Sequence, residues 1–184
     1  PYVYALYAAY GFSSSQIAQL FVAGFGSSLI FGGFVGTVTD RFGRKRCCLA
    51  YCVLYILSCV TKHFGSYGVL MIGRVTGGIA TSMLFSCFEC WMVSEHTQRH
   101  NFSSGLLSYM FGLMFTAMYF VAIASGLVGQ AVADSFTFAP IYEGSIIHTG
   151  GFCCPFDVAI LCLLVGIVLI FFFFEENYGA KTGT

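Results

Sequence analysis

Arg74 and Glu89 stand inside an otherwise apolar stretch, 69–93, and they are the first chemical signal in the chain. A charged side chain in hydrocarbon costs several kcal/mol unless it faces a cavity or a partner, so each one marks a candidate site. Arg74, Gly78, Thr81, Phe85 and Glu89 step by three or four residues and so share one face of a helix. On that face Arg74 would supply positive potential for an anionic solute, Thr81 would lie along the same path, and Glu89 would belong to a gate or an ion pair. The competing reading has Arg74 and Glu89 snorkelling to opposite membrane surfaces. A coupling proton could reside on Glu89 or Glu95. Cys87-x-x-Cys90 has no second cysteine pair and no nearby histidine, which leaves it weak as a metal or redox site. Most of the nine cysteines lie in apolar runs and read as small apolar fillers, while Cys153 and Cys154 fall in a polar connection where their redox state stays open. No nucleophile and base occur at a supporting spacing, so the expectation is a protein that is not an enzyme, with no cofactor and no bound metal.

The elements that must position these residues are apolar and long. Of 184 residues 58% are apolar and 9% charged, against about a quarter charged in soluble domains. The apolar runs are about 18 to 25 residues, enough to cross roughly 30 Å of hydrocarbon at 1.5 Å per residue. The sequence therefore predicts an all-α membrane protein with about five transmembrane helices, at 16–38, 47–61, 69–93, 103–128 and 156–174. The 129–155 stretch, with Asp134, Pro140, Glu143, Gly150 and Gly151, reads as an extramembrane loop, and 175–184 as a cytosolic linker. Arg41, Arg44, Lys45, Arg46, Arg99 and Lys181 fall on one side of this arrangement and only Lys62 on the other, which places the first side in the cytosol. The first span then runs from outside to inside. Residues 1–15 accordingly read as the end of a preceding helix and its outer loop, in a chain expected to be truncated at its start. Net charge is zero, which gives nucleic acid nothing to bind, and the plasma membrane is the default location.

Gly36-x-x-x-Asp40-Arg41-Phe42-Gly43-Arg44-Lys45-Arg46 closely resembles the major facilitator superfamily signature between the second and third helices. Its physics is legible: Gly36 would let two helices touch, Asp40 could face a helix N-terminus, and Gly43 would allow the tight turn that gathers Arg41, Arg44 and Lys45 at the membrane surface. Arg74-Val75-Thr76-Gly77-Gly78 resembles the superfamily's fourth-helix pattern. The pairs Gly32 with Gly36, and Gly73 with Gly77, are spaced for close helix contact. One branch matches further: Pro1-Tyr2-Val3-Tyr4-x-Leu6-Tyr7, Tyr10-Gly11-Phe12, Leu84-Phe85-Ser86-x-Phe88-Glu89-x-Trp91, Glu95-His96, Pro155-Phe156-Asp157 and Glu176-Asn177-Tyr178-Gly179 are similar to the molybdate-anion transporter family.

That resemblance implies two six-helix bundles around a central cavity with alternating access, of which this chain is the N-terminal bundle less its first helix. It implies secondary transport of molybdate or a related oxyanion without a cofactor, and as partners the small anion, the lipid bilayer and a C-terminal helix bundle. Gly36, Asp40, Arg41, Gly43, Arg44 and Lys45 would form the gating motif. Two features depart from the family pattern. Phe111-Gly112-Leu113 lacks a basic residue expected in the fifth helix, which removes one positive charge from an oxyanion site, and the 142–154 loop is longer. Transport of another small solute, or a scaffold that no longer transports, remain as alternatives.

Overall fold

The computed structural model describes residues 2–179; Pro1 of the Pro-Tyr-Val-Tyr segment, and Lys181 with residues 180–184 of the expected linker, lie outside that range. Six helices follow one another: α1 (Tyr2–Ala9), α2 (Ser14–Phe42), α3 (Arg44–Thr61), α4 (Tyr67–Ser94), α5 (Ser104–Ser135) and α6 (Cys154–Phe173). α2 starts where Ser13 caps it, with the Gln16 amide donating to Ser13 Oγ at 3.3 Å and Gln16 Oε1 accepting from the Ser13 amide at 3.0 Å. It runs 29 residues to Gly43, whose φ of +99° breaks the helix and lets α3 begin at the next residue. α4 ends in a π-helical turn, Glu95–Arg99, that carries the charged connector read from the sequence.

Four segments are long and apolar enough to cross a membrane by length and composition: α2, α4 with its π-turn, α5, and α6 with the short 3-10 turn before it. α3, at 18 residues, sits at the lower limit for a crossing and opens on Arg44, Lys45 and Arg46. α5 continues to Ser135, seven residues beyond the end expected at 128. Its polar last turns sustain the helix themselves: Gln130 Nε2 donates to both Asp134 carboxylate oxygens at 2.9 Å, and Ser135 Oγ donates to the Ala131 carbonyl at 2.7 Å. The loop that remains is a small hairpin, β1 (Ala139–Pro140) against β2 (His148–Thr149), antiparallel. It lies on the α3–α4 turn, where Gly65 N donates to the Ile146 carbonyl and His148 N to the His63 carbonyl, both at 2.7 Å.

α4 is the central post, packed against α2 on one side and α3 on the other, and α6 covers the far side of α3. Three glycines let α4 approach this closely. A Cβ on Gly77 would stand 2.6 Å from Ser58 Oγ of α3, one on Gly73 would collide with Thr61, and one on Gly78 would collide with Ser27 and the Gly24 carbonyl of α2. The spacing of Gly73 and Gly77 thus marks a real helix contact. Gly36 does not, because nothing lies within 4 Å of its Cβ position, and Gly32 makes only an ordinary contact with Ser82. Two apolar clusters fill the bundle. One, toward the Gly43 end, centres on Val35, Cys47, Cys48, Cys52, Met83, Cys87 and Ile170; the other, toward the hairpin, on Leu6, Tyr7, Ile17, Leu20, Leu70 and Cys153. Most of the buried cysteines pack as small apolar side chains, whereas Cys87 and Cys153 also make hydrogen bonds, to Thr39 Oγ1 at 3.3 Å and to the Lys62 carbonyl at 3.8 Å. Phe171, Phe172 and Phe173 project outward, while Phe174 turns in and stacks on Trp91 with ring centroids 3.8 Å apart.

Candidate functional site

A cavity of about 310 Å³ opens between α2, α3 and α4 near the hairpin end, closed on one flank by Pro155 and Phe156 of α6. Arg74 and Thr81 both line it, joined by the hydroxyl-bearing Ser28, Tyr55 and Ser58. The guanidinium is held by aromatic rings: Arg74 Cζ lies 4.1 Å from the Phe21 ring centroid and 5.3 Å from that of Tyr7. Ring faces attract the cation but accept none of its in-plane N–H bonds. Arg74 Nε and Nη2 are buried and have no hydrogen-bond acceptor among the described residues. Gly24 of α2 lies alongside this side chain, where a Cβ would make an ordinary contact with Arg74 Cδ at 3.5 Å.

The second cation of the cavity is Lys62, read from the sequence as a loop charge. It is 4% exposed, and its Nζ likewise has no partner among the described residues. Tyr10 and Cys153 cover it from outside: Tyr10 Oη donates to the Lys62 carbonyl at 2.7 Å, and the Cys153 thiol to the same oxygen at 3.8 Å. Burial first, and then the positive charge of Arg74, push the Lys62 ammonium below the ordinary lysine range, to about 8. The sequence did carry a signal for it. Tyr55, Ser58, Cys59 and Lys62 fall at i, i+3, i+4 and i+7, one face of α3, and all four line the cavity. Among the described residues no acidic side chain belongs to the lining; Asp157, next to Phe156, is paired with His63 at 2.9 Å.

Glu89 is not in this cavity. It lies fifteen positions after Arg74 on α4, about 22 Å along the axis at 1.5 Å per residue, in a separate recess with Arg44, Cys90 and Gln98. Shared helical phase placed the two on one stripe; axial distance assigns them to opposite ends of the bundle.

The signature residues gather at the Glu89 end. Asp40 Oδ1 accepts from Arg44 Nη2 at 2.7 Å and Nε at 3.2 Å across the Gly43 break. The carboxylate at the α3 N-terminus is not Asp40 but Glu176, from the segment after α6, which accepts from the Lys45 amide at 2.9 Å and the Arg46 amide at 3.2 Å. Glu176 also fills the space beside Gly43 where a Cβ would go. Asn177 continues the tie, its carbonyl accepting from Arg44 N at 2.9 Å and its Nδ2 donating to Glu95 Oε1 at 3.0 Å. Lys45 reaches the other way, donating from Nζ to the Phe171 carbonyl at 2.8 Å, and Arg41 lies exposed beside Phe42. Glu176→Gln removes the charge of this cap and is expected to cost about 1 kcal/mol, read as a fall of a few degrees in the melting temperature of the detergent-solubilised protein.

Long apolar helices side by side, with an apolar exterior, a basic corner at one end and a cationic cavity toward the other, define an integral membrane protein built as a helical bundle. The chain belongs to the major facilitator superfamily: the profile of a family described as sugar transporters with twelve transmembrane segments matches residues 1–184. Among curated proteins, the molybdate-anion transporter of Xenopus laevis is 36% identical over 180 residues, 97% of this chain and 37% of that protein. That of Danio rerio is 37% identical over 141 residues, 77% of this chain and 29% of that protein. The chain thus spans between 29% and 37% of the length of these relatives, which bear transporter names. No solved structure matches it significantly.

Proposed function

We propose that this chain forms part of the N-terminal bundle of a secondary transporter that carries molybdate or a related oxyanion across the plasma membrane, with the basic corner at Gly43 facing the cytosol. The observation that carries the reading is Arg74, half-buried on a membrane helix, whose buried Nε and Nη2 groups meet no acceptor among the described residues. An unpaired cation in that setting is tolerable only with water or an anion beside it. The names of the relatives support molybdate as that anion. Transport would need the facing C-terminal bundle, which supplies the other wall of the path. On this reading Thr81 lies on the path, while Glu89 belongs with Asp40, Arg44 and the rest of the signature in the cytosolic gate.

Elemental mass spectrometry of molybdenum in cells expressing the complete protein that carries this chain tests the proposal. Saturable accumulation above vector-only cells, blocked by tungstate, is expected; surface expression without accumulation would overturn it. The matched family's description, together with the hydroxyls of the cavity, favours a second reading in which the solute is a sugar. Uptake competed by sugars and indifferent to tungstate would select it.

A further inference from the structure

We infer that Lys62 is the second cation of a two-cation anion site, and that with Arg74 it selects doubly charged tetrahedral oxyanions over singly charged ones of the same shape. The inference rests on the oxyanion reading above and extends it to a residue and a charge class.

Three observations converge. Lys62 and Arg74 line one cavity, Lys62 Nζ and Arg74 Nε and Nη2 are buried donors that meet no acceptor among the described residues, and no acidic side chain among those residues shares the lining. Lys62 is also fixed in place, because Tyr10 and Cys153 hold its carbonyl. Two of the four hydroxyls in the lining are already spent as donors: Ser58 Oγ donates to the Gly73 carbonyl at 2.7 Å and Thr81 Oγ1 to the Gly77 carbonyl at 2.8 Å. Ser28 and Tyr55 are neutral, so the charge of an entering anion is met by the two cations alone. Like charges confined together repel, and a singly charged anion leaves half of that charge unmatched. A dianion matches both, so charge is what the pair can discriminate.

Six titratable groups bear on the Lys62 ammonium, its backbone or the residue beside it. They are Arg74 of α4, Cys59 one turn earlier in α3, Tyr10 beyond α1, Cys153 before α6, and the adjacent His63 with its partner Asp157. The alkaline titration of the site is assigned to Lys62. Loss of its proton as pH rises through about 8 removes half of the site's charge.

Perrhenate and tungstate, both tetrahedral oxyanions, differ by one charge and make the direct test, as competitors of molybdate uptake by the complete protein. Tungstate is expected to inhibit at concentrations about 100-fold below perrhenate, the ratio set by one extra charge-assisted contact. Lys62→Gln should shrink that ratio about tenfold or more, whereas Lys62→Arg should keep it. Uptake by the wild type should fall as pH rises through about 8, and Lys62→Arg, charged throughout, should flatten that limb. Equal inhibition by perrhenate and tungstate, or Lys62→Gln indistinguishable from wild type in both ratio and pH profile, overturns the inference while leaving oxyanion transport intact. Should Lys62→Gln fail to reach the membrane, an unchanged alkaline fall in Lys62→Arg overturns it equally. A wild-type protein that takes up no oxyanion removes the reading beneath it, and the inference falls with it.

Discussion

Arg74→Gln in the complete protein is expected to lower saturable molybdate uptake about 100-fold or more, because a charge-assisted pair of N–H bonds to an oxyanion is worth about 3 kcal/mol. Glutamine keeps much of the length and one donor group but loses the charge and the forked geometry. The loss should appear without a fall in surface expression. The cation–π contacts to Phe21 and Tyr7 are lost, but deleting a charge whose buried Nε and Nη2 have no hydrogen-bond acceptor also removes a desolvation penalty that offsets them. Retained uptake in this variant would take Arg74 out of the path. Lost uptake with lost expression would give it a structural role instead, and a melting curve on purified protein separates the two.

The second large effect is on assembly. Gly78 faces Ser27 and the Gly24 carbonyl across the α2–α4 contact, and although the Ser27 hydroxyl could turn away from a Cβ, the Gly24 carbonyl is backbone and could not. Gly78→Val is expected to force the two helices apart and cost roughly 2–4 kcal/mol, seen as a lower melting temperature and diminished surface expression. Gly36→Val, at a site with nothing within 4 Å, is the matched control and should leave both within about 0.5 kcal/mol of wild type. A Gly78→Val protein as stable as the control would mean that α2 and α4 are not in contact through this glycine.

These contrasts show which parts of the site could be read from one dimension. The apolar runs, the break at Gly43 and the isolated Arg74 are local properties, legible because each depends on a few neighbouring residues. The glycine spacing was ambiguous because period alone does not say whether a partner arrives. Gly73 and Gly77 meet α3; Gly36, with the same spacing to Gly32, meets nothing. Lys62 was missed because it falls one residue past α3, where a charge reads as solvated, and what buries it comes from Tyr10 and Cys153, distant in sequence. The stripe from Arg74 to Glu89 was overread in the other direction, since angular agreement on a helix says nothing of the separation along its axis. The missing fifth-helix charge and Lys62 are connected by this comparison: the deficit inferred at Phe111-Gly112-Leu113 concerned one helix, and the cavity draws its second cation from another.

The cap that Glu176 places on α3 couples parts of the chain 131 residues apart in sequence. At about 5–20 residues per second of synthesis, the amides of Lys45 and Arg46 wait on the order of ten seconds for the carboxylate that satisfies them. Throughout that interval α2 and α3 form a corner whose three consecutive basic residues, Arg44, Lys45 and Arg46, lack the acidic segment that later crosses them. The corner is therefore most cationic while the remaining helices are still being delivered to the bilayer. Anionic lipid headgroups are available to neutralise it during that time. Orientation and closure thus use the same residues in succession: an uncovered positive corner while the α2–α3 hairpin inserts, and the segment after α6 to cover it once these helices have packed.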